Sequence, residues 1–191
     1  MSLTINPAQG KILVSEPFLK DFYFKRSIVL LAEHNNDGTF GLILNKPTDM
    51  KLSEIINDGN IHISEEFDNY VFLGGPVKTD SLFFIHKRND LIENSIKIMD
   101  GLFWGGDIQL VNHLIETKAL SKDDIRFYIG YSGWESKQLD NELKEHSWVV
   151  ANTNADFLFK NPPELLWKNA VKMLGKEYAE WVNYPIDPQL N

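Results

Sequence analysis

Residues 27–47 read SIVLLAEHNNDGTFGLILNKP. Two apolar runs, Ser27–Ala32 and Thr39–Asn45, flank the polar stretch Asn35-Asn36-Asp37-Gly38. Asp-Gly between such runs is a hairpin signal, because glycine accepts the backbone angles that tight reversals demand. Residues 28–34 and 39–45 are therefore expected to pair antiparallel. Lys46-Pro47 closes the second strand, since proline cannot donate to a ladder. The stretch decides a fold class and carries no nucleophile, metal cluster or phosphate loop.

Outward from the hairpin, Lys11–Val14, Tyr70–Leu73, Ser81–His86, Ile96–Met99 and Trp148–Ala151 read as further strands. Leu82-Phe83-Phe84-Ile85 is apolar on both faces, which places it inside a sheet. Ile125, Phe127 and Ile129 alternate with Arg126 and Tyr128, the pattern of a half-buried strand. Gly130-Tyr131-Ser132-Gly133-Trp134 is expected to close it as a tight turn, and Gly74-Gly75-Pro76 to end the strand at Leu73. Ser53–Ile56 reads as a short helix. Ile108, Val111, Leu114 and Ile115 recur at helical spacing behind Asp107, an N-cap residue, so Asp107–Thr117 is an amphipathic helix. Further helices are expected over Ser136–Glu145, from Asn161-Pro162-Pro163 to Leu174, and near Glu177–Val182. Early hairpins and late, separate helices make an α+β fold with mostly antiparallel pairing.

The chain of 191 residues has the length of one domain, taken as residues 1–191. It has no cysteine, which removes thiol catalysis and disulfides and fits a reducing compartment. The first residues lack a basic segment followed by an apolar one, and no apolar run approaches the roughly 20 residues of a membrane span. The expectation is a cytoplasmic protein without a membrane anchor. The net charge is −8. The best cation groups, Lys20-Lys25-Arg26 and Lys87-Arg88, have acidic neighbours at Asp21 and Asp90. Direct nucleic-acid binding is disfavoured on that balance.

The candidate chemical motifs are weak. Gly130-Tyr131-Ser132-Gly133-Trp134 departs from the Gly-x-Ser-x-Gly nucleophile elbow, because bulky Trp134 stands where a small residue is needed. Gly74-Gly75-Pro76 lacks the Gly-Lys-Ser/Thr of a phosphate loop. His34, His62, His86, His113 and His146 show no ligand spacing, and no metal or cofactor is expected. Arg26 either binds an anion or pairs with Asp21.

The chain resembles the YqgE/AlgH family. The resemblance rests on Gly10–Val14, Pro17, Arg26–Leu31, Glu33-His34, Gly38, Gly41–Pro47, Gly74–Val77, Gly130–Trp134, Gln138-Leu139, Glu142 and Trp148. It implies a bifurcated sheet curled into a pseudo-barrel with surrounding helices. It brings no established catalytic residues. One pseudomonad member was named as a transcriptional regulator of alginate synthesis, but no helix-turn-helix is visible here. Ser132 replaces a frequent alanine, and Glu135-Ser136-Lys137 replaces a glycine-rich stretch. The reading is a non-enzymatic binding or regulatory module with an unidentified protein or small-molecule partner. The alternative is an enzyme or a binder of a small anionic ligand. Its pocket would use Arg26, Asn45, Gly74, Gly75, Pro76, Gly130, Tyr131, Gly133 and Trp134, with the two glycine segments adjacent at one end of a sheet.

Overall fold

The computed structural model describes residues 5–56 and 63–185. Its strands are β1 (Ile12–Ser15), β2 (Ile28–Asn35), β3 (Gly38–Ile43), β4 (Pro47–Lys51), β5 (Tyr70–Leu73), β6 (Val77–His86), β7 (Ile96–Met99), β8 (Leu102–Trp104), β9 (Ile125–Glu135) and β10 (Trp148–Ala151). The helices are α1 (Leu52–Ile55), α2 (Ile108–Glu116), α3 (Gln138–Lys144), α4 (Ala155–Lys160) and α5 (Pro163–Leu174), with a 3₁₀ helix over Lys176–Asn183. The strands form one sheet in the order β10-β1-β2-β3-β9-β6-β8-β7, and β4 and β5 branch from β9.

The expected hairpin is present. Asn35 pairs with Gly38 and Val29 with Ile43, with a bulge between Leu31 and Glu33. The reversal itself is Asn36-Asp37, and the Asn35 side chain accepts from the Asp37 amide at 2.9 Å. Gly38 is thus the first residue of β3, not part of the loop. β2 is buried on both faces, which explains its unbroken apolar run. Ile28, Leu30 and Ala32 join one core with α5; Val29 and Leu31 join another with Trp134 and Trp148. A third core packs α2 against the N-terminal half of β9 through Val111, Ile115, Ile125 and Phe127. Asp107 caps α2 as expected, accepting from the Gln109 amide at 2.9 Å.

The sheet forks at β9. One edge of β9 is occupied by β6 from Ile125 to Tyr131. The other edge is shared: β5 runs parallel beside Tyr128 and Ile129, and β3 runs antiparallel beside Ser132 to Glu135. The sheet also curls. The Gln9 side chain spans from Ala32 O, at the bulge of β2, to Lys97 O in β7. β7 and β10 remain separate ends of the strand order, so the sheet is not closed into a barrel. Among the described residues no helix is long and apolar enough to cross a membrane.

Three sequence expectations are corrected, and two elements are new. Gly130–Trp134 is not a turn: β9 continues through it to Glu135. Pro47 does not end a strand but starts β4, where it lies at a sheet edge that tolerates a missing donor. The strand expected at Ser81 begins four residues earlier, and β6 bulges between Val77 and Leu82. The aromatic stretch at Leu102–Trp104 is a strand, and α4 was not anticipated.

The fork depends on glycine. A Cβ on Gly74 would collide with the Gly130 carbonyl, and one on Gly130 would stand 2.5 Å from the Gly75 carbonyl. Both obstacles are backbone, so neither can move aside cheaply. Gly105 has positive φ but open space around its Cβ position. Gly74→Ala should therefore cost more than about 3 kcal/mol in urea unfolding, and Gly105→Ala only roughly 1–2 kcal/mol of backbone strain. Equal costs would contradict the close-approach account.

Candidate functional site

The two glycine segments meet, but inside the sheet and not at one end of it. The Gly74 amide donates to Ile129 O at 2.8 Å, and Gly74 O accepts from the Ile43 amide at 2.9 Å. Ser132 Oγ donates to the same carbonyl at 3.0 Å. Ser132 is fully buried, so its hydroxyl holds the fork together and has no approach for a substrate. Gly75 lies against the Tyr131 backbone and Pro76 leads into β6, which places Gly74, Gly75, Pro76, Gly130 and Tyr131 at one junction. The Tyr131 ring packs on Phe40 at 4.9 Å and on Phe83 at 5.5 Å. A Cβ on Gly133 would sit 3.1 Å from that ring.

Trp134 lies apart from this junction, on the other face of the hairpin. Its indole N–H donates to Glu142 Oε2 at 2.9 Å, and the Trp148 N–H donates to the same oxygen at 2.8 Å. Phe24 stacks on Trp134 at 5.8 Å. One carboxylate thus pins two indoles of the third core, a structural use of Glu142. Asn45 works as a backbone surrogate: its Oδ1 accepts from the Ile28 amide and its Nδ2 donates to Arg26 O, both at 2.9 Å. Arg26 is not paired with Asp21. Its Nη2 donates to Tyr184 O at 2.5 Å and Pro185 O at 2.8 Å, and it lies over the Trp167 ring at 5.0 Å. Asp21 instead accepts from the Tyr23 and Phe24 amides of its own turn.

Three cavities lie elsewhere, and none is lined by those nine residues. One of about 400 Å³ contains Arg88, already neutralised by Asp90 and Asp124. Another of about 560 Å³ lies between β6 and α2. The third, of about 350 Å³, follows the seam of β5 and β9 and holds Arg126. Arg126 Nη2 donates to Phe159 O at 2.9 Å, and its guanidinium lies over the rings of Phe159 at 4.8 Å and Phe72 at 5.6 Å. Among the described residues no carboxylate pairs with it. Tyr128, two residues on along β9, is fully buried, with its hydroxyl beside the Arg126 side chain. Burial pushes that phenol up to about 12, against the opposing charge and side-chain hydrogen bond of Arg126.

Sequence reasoning passed over Arg126 as a polar position in an alternating strand. The available signal was a lone cation within Ile125-Arg126-Phe127-Tyr128-Ile129, flanked by apolar neighbours on every side.

The histidines build no joint site. His34 Nδ1 pairs with Thr39 Oγ1 at 2.8 Å. His86 is fully buried, and His62 lies outside the described residues. Among the described residues no three metal-ligating side chains stand together.

The sequence profile of the DUF179 family, described as AlgH-like, matches residues 12–179. The chain belongs to the AlgH-like family. A Cytophaga hutchinsonii relative is 44% identical over 184 residues, covering 96% of this chain and 98% of its own. One from Parabacteroides distasonis is 41% identical, covering 97% and 92%. Both bear the description "UPF0301 protein", which states no activity. The fold matches the solution structure of AlgH from Pseudomonas aeruginosa with TM-score 0.75 at 23% identity, covering 97% of this chain and 98% of that one. A Corynebacterium diphtheriae crystal structure matches with TM-score 0.74 at 20% identity, covering 95% and 94%. At these identities the likeness is one of fold.

His86 makes this family member's stability depend on pH. Its Nδ1 accepts from the Arg88 amide, so its Nε2 carries the hydrogen and donates to Gly105 O at 3.2 Å. Burial pushes its pKa below the usual value, against weaker opposing effects of Gly105 and Asp90. The unfolded chain takes up a proton near pH 6.5 that the folded chain refuses. Stability should therefore fall as pH drops through that value, and rise on return. Urea midpoints measured from pH 7.5 to 5.5 should decline, and His86→Gln should flatten the decline. An unchanged slope in the variant would contradict this.

Proposed function

We propose that this chain is a non-enzymatic binding module, a single domain working in the cytoplasm, and that it takes a small anionic ligand in the groove around Arg126. The observation that carries the reading is the guanidinium itself. Two phenylalanine rings and a carbonyl hold it in place, yet no carboxylate among the described residues balances its charge. A positioned cation beside an apolar groove favours an anionic guest, and few other polar groups compete. The groups that could do chemistry have structural duties: Ser132 binds Gly74 O, His34 binds Thr39, and Glu142 binds two indoles. A site in this groove replaces the one first placed at the glycine segments, where the residues are occupied in holding the sheet.

A regulatory role of the kind suggested by the family resemblance would act through a ligand or protein partner. The net charge of −8 opposes direct approach to a polyanion. The reading is tested by thermal-shift titration with a panel of small anions and their neutral analogues. An anionic ligand at a hundredfold excess over Kd should stabilise the protein by about 2.7 kcal/mol, and its neutral analogue should not. Nanomolar binding of duplex DNA at physiological salt, with no response to any small anion, would overturn it.

A further inference from the structure

We infer that the anion recognised in the Arg126 groove is a monocarboxylate carried on a single aromatic or branched apolar group; this rests on the groove reading just given and names its ligand class. Four features converge on that chemistry. The first is the donor geometry. A guanidinium has five N–H donors in one plane. One is committed to Phe159 O, and the Phe72 and Phe159 rings lie against the group. Another donor lies at the Tyr128 hydroxyl. The donors that remain share the same plane, the arrangement that a carboxylate meets two at a time.

The second is charge. The other ionised side chains lining the groove are Lys122 and Asp123, one of each sign. They cancel, which leaves the groove with the single positive charge of Arg126. One negative charge completes it. A polyphosphate would bring several negative charges to a groove whose net charge is one positive, with Asp123 beside them.

The third is the wall. Phe67, Tyr70, Phe72, Phe127 and Pro163 line the cavity. Tyr70 is 55% exposed, a large ring left in water at the groove mouth. Such walls reward an apolar body on the ligand and give a polar one nothing to bind. The fourth is size. A volume of about 350 Å³ lies near the bottom of the range for small-molecule sites, which suits one ring and a short acid chain. The seam between parallel β5 and β9 supplies a rigid floor, so the site needs no folding step on binding.

The experiment is an ¹⁵N–¹H NMR titration of the full chain with 3-phenylpropionate, 3-phenylpropionamide, inorganic phosphate and ATP in parallel. Phenylpropionate should give saturable shifts confined to the amides of Tyr70–Leu73 and Ile125–Phe127 and to the Arg126 side chain. The amide, which keeps the ring and loses the charge, should bind at least about tenfold more weakly, the loss of a charge-assisted hydrogen-bond pair. Arg126→Lys keeps the charge without the planar fork and should weaken phenylpropionate by a similar factor, with the spectrum reporting that the variant is folded. Equal binding of acid and amide would overturn the carboxylate assignment. Saturable groove shifts with phosphate or ATP but not with phenylpropionate would overturn the monocarboxylate class while leaving the anion site in place. Shifts from every probe outside the groove, or none, would overturn both readings. The ligand comparison uses the wild-type chain, so it decides the matter even where a variant fails to fold.

Discussion

The Gly74 carbonyl accepts from the Ile43 amide and from Ser132 Oγ at the point where β3 and β5 part company along one edge of β9. This junction makes a forked sheet possible. Two strands can share an edge only where their backbones come close enough for hydrogen bonds to pass between them. The absence of side chains at Gly74 and Gly130 permits that approach. The Ser132 hydroxyl then satisfies a carbonyl that no sheet partner fully uses, and a buried carbonyl without partners would be costly. Arrangements that follow from the fork include the parallel β5–β9 seam, the bulge in β6 opposite Gly130 and the curl that brings β7 toward β2.

The seam creates the groove. β5 pairs with β9 only at Phe72 and Leu73, so the sheet is thin where Arg126 and Phe72 meet. α4 then lays Phe159 over the guanidinium. Among the described residues the cation is oriented by two rings and one carbonyl, with no carboxylate partner. A carboxylate would have neutralised it, as Asp124 neutralises Lys87 and Arg88 nearby.

Much of the fold was legible locally. The hairpin, the cap of α2, the apolar spacing along it and Trp148–Ala151 all follow from short-range patterns that the structure keeps. Gly130–Trp134 misled because glycine marks both turns and close approach. Only the facing β5–β6 connection, Gly74-Gly75, tells them apart, and it is more than 50 residues away in sequence. Pro47–Lys51 and Leu102–Trp104 were missed because short strands carry too little periodicity. The candidate site was less legible. Arg126, Phe72 and Phe159 come from three distant segments, and nothing local to any one of them announces the others. Arg26 and Asn45 drew attention by position, yet both are spent on backbone partners.

β9, gripped by three strands through the glycine junction, should be the last part of the sheet to open. Native-state hydrogen exchange across β9 tests it most directly. Its amides should exchange only through global unfolding, with an opening free energy equal to that from urea denaturation. Local opening of β9 at a lower free energy than the β1–β2 pair would contradict the account.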